Sequence, residues 1–257
     1  MSADVNAAID AYLDAQREVL TREPHGLYDG NGVHKTRVAA RRFRSVLRVF
    51  ADRFDPDTAQ HLDSELFWYS SLLGRLRDQQ VLRVHFDDAI AQLPDEFGPT
   101  AGIAQRIDAS LKIRERQALR AVRRALVSRR RESLLAAVVA APPDFEGDRT
   151  LDDYLRSAER TARNRVRRAG ELDVGDPARD AAMHRARKAA KRARYTAELC
   201  KPDFGARAKK AARKWRDTQD RLGEHQDGVV AAEFLRTLVS DDVDFMLGVL
   251  WVREVLR

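Results

Sequence analysis

Two stretches of this chain carry the same cationic stripe, 150 residues apart, and no other feature constrains the fold as much. The first runs from Val33 to Arg48 and the second from Met183 to Tyr195. At helical period, His34, Arg37, Arg41, Arg44 and Arg48 recur at steps of three and four and share one stripe. Val38, Ala39, Phe43, Val46, Leu47 and Phe50 form an apolar sector beside it. In the second stretch His184, Arg187, Lys191, Arg192 and Arg194 stand at the positions of His34, Arg37, Arg41, Arg42 and Arg44. Like charges at this spacing repel by roughly a few tenths of a kcal/mol per pair. A helix that stacks them next to its core face is therefore expected to face an anion.

The rest of the chain fits helices around these two. Apolar residues at Ile9, Tyr12, Leu13 and Val19 predict a helix from Val5 to Leu20. Asn31 is a possible cap for the basic helix, which is expected to run to about Arg53. Asp55-Pro56 opens a third helix to about Ala91, with Leu62, Leu66, Tyr69, Leu73 and Leu76 as a bundle seam. One long helix is expected from Thr100 to about Ala140, and Ala141-Pro142-Pro143-Asp144 is the clearest linker. The second half repeats the order: Thr150 and Asp153 fit a capping box, and Asp176-Pro177 opens the second basic helix. Lys201-Pro202 closes that helix, a long helix starts near Ala206, and an apolar one covers Asp241 to Leu256. No stretch shows strand alternation. The expected architecture is all-α: two pseudo-symmetric four-helix bundles from an internal repeat, at 1–143 and 144–257.

Composition narrows the function. Charged residues make up 34% of the chain against a typical ~25%, and the net charge is +7. Acids gather at expected helix ends while bases lie inside helices, which points to a polyanionic partner. The sole cysteine, Cys200, excludes an internal disulfide and a multi-cysteine metal site. The start lacks a signal-peptide core and no run reaches the ~18 apolar residues of a membrane span. A soluble cytoplasmic protein without membrane attachment is the expectation.

The motif His-x-x-Arg-Val-x-x-Arg-Arg-x-Arg from His34, with His-x-x-Arg-Lys-x-x-Lys-Arg-x-Arg from His184, resembles the CHAD domain (conserved histidine α-helical domain). The segments Leu73-Gly74-Arg75-Leu76-Arg77-Asp78 and Leu222-Gly223-Glu224-His225-Gln226-Asp227 are similar to that family as well. The resemblance covers about Val5 to Leu238. It implies two four-helix bundles with a basic surface or channel between them, and binding of inorganic polyphosphate, often at polyphosphate granules. Relatives can carry a fused triphosphate-tunnel domain. This sequence shows no alternating acidic and basic strand, so a stand-alone module is expected.

The candidate polyphosphate-binding residues are His34, Lys35, Arg37, Arg41, Arg42, Arg44, His184, Arg187, Lys188, Lys191, Arg192 and Arg194. Arginine offers a fork of donors that fits phosphate oxygens, and lysine a compact mobile charge. Arg120, Arg123, Lys210, Arg213 and Lys214 form a second basic tier. Asp78 and Asp227 are candidates for holding stripe arginines in place, and Gly74 and Gly223 for close helix packing. Metal ligation is not expected: neither stripe has a second histidine four residues on, and the arginines repel a cation. No cofactor is expected. With neither a nucleophile elbow nor a recurring carboxylate pair, no enzymatic site is expected either. RNA or DNA is the alternative partner, disfavoured because no aromatic residue lies on either stripe to stack a base.

Overall fold

The structure, a computed structural model, describes residues 4–22, 31–93, 100–143, 145, 147–173, 175–238 and 245–255. The side chains at 224–226, which include His225, and at 245–246 lie outside that description, as does Asp144 of the expected linker. Among the described residues there are nine α-helices and no strand. They are α1 Val5–Thr21, α2 Asn31–Val49, α3 Pro56–Ala91, α4 Ala101–Leu126, α5 Arg129–Val139, α6 Leu151–Gly170, α7 Arg179–Leu199, α8 Lys201–Arg236 and α9 Phe245–Val255.

Local chemistry sets most of these boundaries. Asp4 caps α1 by accepting from the backbone amides of Asn6 and Ala7. Asp55 caps α3, accepting from the Thr58 amide at 2.8 Å and its hydroxyl at 2.7 Å. Thr150 and Asp153 form the expected capping box of α6. Two boundaries differ from expectation. The helix expected over Thr100 to Ala140 breaks at Val127, where Ser128 accepts from the Arg131 amide and starts α5 anew. The second basic helix begins at Arg179, not at Pro177, because Asp176 spends its side chain on the Ala178 amide within a turn. As expected, α7 ends at Leu199, just before Lys201-Pro202, and the long regular part of α8 begins past a kink at Gly205, whose φ of 50° suits a residue without a Cβ.

The helices fall into two compact units, and α3 and α8 each contribute to both. The first unit comprises residues 1–70 and 128–223, the second 71–127 and 224–257. These units do not follow the boundary expected at 143/144; each takes residues from both sides of it. In the first unit α2 packs on α1 and on α7, and α7 packs extensively on α6. Ala189, Ala190 and Ala193 of α7 meet Ala162 of α6 and Trp215 of α8, so small residues let α6 and α7 approach while one large ring fills the remaining space. Ala182 and Ala186 continue this face against Ala169 and Leu222. The seam residues Leu62, Leu66 and Tyr69 are all buried.

The segment between α5 and α6 is tied down by two arginines. Arg17 donates to the carbonyls of Val138 and Ala141. Arg53, only 3% exposed, donates to the carbonyls of Gly147 and Arg149 and to the Tyr154 hydroxyl, which in turn donates to Asp52. The second unit has its own core: Leu82, Phe86, Ile103, Ile107, Leu111, Phe234, Leu235, Leu247 and Leu250.

Candidate anion-binding cleft

Burial repeats along the two basic helices in the same register as their residues. His34 and His184 are exposed; Arg37, Arg41, Arg42 and Arg44 are half-buried, as are Arg187, Lys191, Arg192 and Arg194. Ala39 and Ala40 are buried, as are Ala189 and Ala190. Each helix therefore offers its neighbours the same sequence of core, flank and stripe.

Both helices lie in the first unit, and together they wall a cleft of about 480 Å³. Arg41, Arg44 and Arg48 come from α2, and Lys188, Lys191 and Arg192 from α7. Asp63, Ser64 and Phe67 of α3 line it too. Six cations against one carboxylate leave the lining with a formal charge of +5.

That carboxylate is a clamp. Asp63 accepts from Arg44 at 3.1 and 3.3 Å and from Arg48 at 2.8 and 2.6 Å. Burial pushes its carboxyl up, but the two guanidinium groups outweigh burial and hold it below the usual carboxylate range. Arg44 also lies over the Phe67 ring, 4.7 Å from its centroid. A second carboxylate works behind the cleft. Glu198, 9% exposed, accepts from Arg42 of α2 at 2.8 Å and from Arg194 of α7 at 2.9 Å. One acid thus joins the two basic helices, and both guanidinium groups sit 5.7 Å from the centroid of Tyr195.

The remaining expected residues are distributed differently. Arg187 rests against α8 at Gly223, where an added Cβ would lie 3.3 Å from its Nη2. Gly223 was expected to serve helix packing; it makes room for a stripe arginine. The Nε groups of Arg41 and Arg187 are shielded from solvent with no hydrogen-bond partner. His34, Lys35, Arg37 and His184 do not line the cleft. Of the second tier, Arg120 and Arg123 are exposed on α4 of the second unit, and Lys210, Arg213 and Lys214 on the part of α8 within the first. Asp78 and Asp227 are exposed; Asp63 holds Arg44 and Arg48, and Glu198 holds Arg42 and Arg194. Glu198 stands four residues after Arg194, a spacing readable in the sequence, but Asp63 sits on α3 with no local signal for its role.

Other chemistry is scarce. Cys200 is fully buried, its thiol 4.0 Å from the Leu151 carbonyl, and burial pushes it up to about 12. Among the described residues no group of three or more histidine, cysteine or acidic side chains could hold a metal ion. Nor is any helix among them long and apolar enough to cross a membrane.

These features define an all-α protein in which two like basic helices share one cation-lined cleft. Residues 11–236 match the CHAD domain family profile, and the chain belongs to that family. It is similar to the uncharacterized proteins MT2285 and Rv2226 of Mycobacterium tuberculosis, each 30% identical over 211 residues covering 80% of this chain. The chain spans 40% of the length of those relatives. Among solved structures, PptA from Streptomyces chartreusis has the same fold, with a TM-score of 0.80, 19% identity, and coverage of 98% of this chain and 94% of that one. The CHAD domain from the plant Ricinus communis aligns with a TM-score of 0.74 and 23% identity, over 100% of this chain and 88% of that one.

Proposed function

We propose that this protein binds inorganic polyphosphate without chemically altering it, through the cleft between α2 and α7. The CHAD family is linked to polyphosphate binding in general. The observation that carries the reading for this chain is the lining of the cleft: Arg41, Arg44, Arg48, Lys188, Lys191 and Arg192 against Asp63 alone. A flexible polyanion laid along it displaces its own condensed counterions as the cations replace them. Asp63 fixes the directions of two of these cations, Arg44 and Arg48, before any ligand arrives, so less ordering remains at binding. Recruitment to polyphosphate granules in the cytoplasm is part of the same proposal.

Nucleic acid is the second reading, and one residue favours it. Phe67 is 57% exposed in the cleft, an aromatic platform that comes from α3 and not from the stripes. The Arg44 guanidinium already lies over its ring, 4.7 Å from the centroid, and competes with a base for it. Polyphosphate, which needs no stacking surface, stays the preferred ligand.

Titration calorimetry of the full chain with long polyphosphate, and with single-stranded RNA of equal charge, separates the two. Polyphosphate is expected to bind more tightly at matched ionic strength, with log affinity falling linearly in log salt. Arg41→Glu with Lys191→Glu is expected to weaken binding strongly and flatten that slope while helix content persists. RNA that displaces polyphosphate at equal charge concentration overturns the reading.

A further inference from the structure

A smaller depression of about 170 Å³ shares Arg48 and Arg192 with the cleft. Beyond those two, its polar lining is new: Arg149 from the segment before α6, and Tyr154, Ser157 and Thr161 of α6. Val49, Ala158 and Ala189 supply an apolar wall. Neither Arg149 nor the three hydroxyl residues belong to the His-x-x-Arg motifs.

The charges here are unequally answered. Arg48 is held by Asp63, and Arg149 lies 3.7 Å from Asp52 and over the ring of Tyr154. Arg192 makes no ion pair among the described residues. Burial, together with the neighbouring charges of Arg165 and Arg48, pushes its guanidinium below the usual arginine range. A half-buried cation facing two others is what an entering anion relieves.

We propose that this depression is a seat for the terminal phosphoryl group of a polyphosphate chain, so that the protein takes hold of the polymer by its end. The idea rests on the polyphosphate reading of the adjoining cleft. A terminal phosphoryl group has three free oxygens and carries about −1.5 to −2 charges at pH 7, its second pKa lying near ~6. An internal unit has two free oxygens and a single charge. Arg48, Arg149 and Arg192, with the hydroxyls of Ser157 and Thr161, supply the denser set of donors that the end requires. The apolar wall of Val49, Ala158 and Ala189 offers nothing to a chain running on past it. The next phosphoryl units then lie along the cleft, over Arg44 and Lys191.

The test uses the full chain at pH 7.5 and two probes of equal phosphate number: a linear oligophosphate with free ends, and the same oligophosphate with both ends blocked as alkyl esters. The free-ended probe is expected to bind about tenfold more tightly, the worth of one further charge-assisted contact of about 1.4 kcal/mol. Ser157→Ala and Thr161→Val, which line the seat and not the cleft, are expected to remove that advantage and leave the blocked probe bound as before. Circular dichroism of each variant establishes that it is folded. Equal binding of the two probes to the unmodified protein overturns the end seat and leaves the cleft standing, as do variants that weaken both probes alike. Failure of both probes to bind overturns the cleft and the seat together.

Discussion

Glu198→Gln tests the construction of the cleft most directly. The carboxylate is 9% exposed and holds Arg42 at 2.8 Å and Arg194 at 2.9 Å. Burial pushes this carboxyl up; the charges and hydrogen bonds of the two arginines outweigh burial and hold it below the usual range. Glutamine keeps the shape and one acceptor oxygen but leaves both guanidinium groups without an anion. Breaking a buried pair costs about 3–5 kcal/mol. Water reaches part of this one, since the Arg42 side chain is 30% exposed and that of Arg194 18%. A loss of about 2–3 kcal/mol is therefore expected at neutral pH. At ~2–4 °C per kcal/mol for a chain of this size, the melting temperature should fall by roughly 4–12 °C. A carboxyl with a depressed folded pKa contributes stability that is present above its unfolded value of ~4.3 and is lost as pH falls through the folded value. The gap between the two proteins should thus be full at pH 7.5, narrow below about pH 4, and close at still lower pH. Calorimetric melts across that range measure it. Identical melting at pH 7.5, or a gap that stays constant down to about pH 2, would refute the account of Glu198 as the acid joining both basic helices.

Three further outcomes follow from the packing. Leu66, fully buried in the first unit, should cost about 2–5 kcal/mol as Leu66→Ala, read from urea unfolding. Ser128→Ala should cost about 1 kcal/mol by removing the cap that restarts the chain as α5, and a change within error would mean that another group sets that boundary. Cys200, with its thiol raised to about 12, should resist alkylation at pH 8 in the native protein and react at the rate of unfolding, which timed mass spectrometry follows.

The helices themselves were legible because apolar period and capping residues act locally. Leu62, Leu66, Leu73 and Leu76 read as a seam and are buried, and Thr150 with Asp153 reads as a capping box and forms one. The same dipeptide misled at Asp176-Pro177: Asp55 caps its helix, while Asp176 caps a turn two residues earlier than α7. Local pattern cannot tell these apart, because the difference lies in where the following backbone goes. The stripes were legible as well, through charge at helical spacing, but not their division of labour. Whether a half-buried cation meets an acid, a glycine or an open cleft depends on the helix opposite. Arg44 meets Asp63, Arg187 meets Gly223, and Lys191 lines the cleft, although all three look alike along the chain. The grouping of residues 1–70 with 128–223 was hidden for the same reason: periodicity gives a helix its apolar face and says nothing of which partner covers it.

That interleaved grouping has a consequence for how the protein is made. The walls of the cleft are α2, which ends at Val49, and α7, which ends at Leu199. At about 5–20 residues per second, roughly 8–30 s of synthesis separates the two ends. Through that interval α2 exists without Glu198 to hold Arg42 and without the opposite wall of the cleft. It emerges as a basic amphipathic helix beside ribosomal RNA, able to hold polyanions only by general charge. On the proposed reading selective capture begins only when α7 docks, and a nascent chain stalled before residue 179 should hold nucleic acid more readily than the finished protein does.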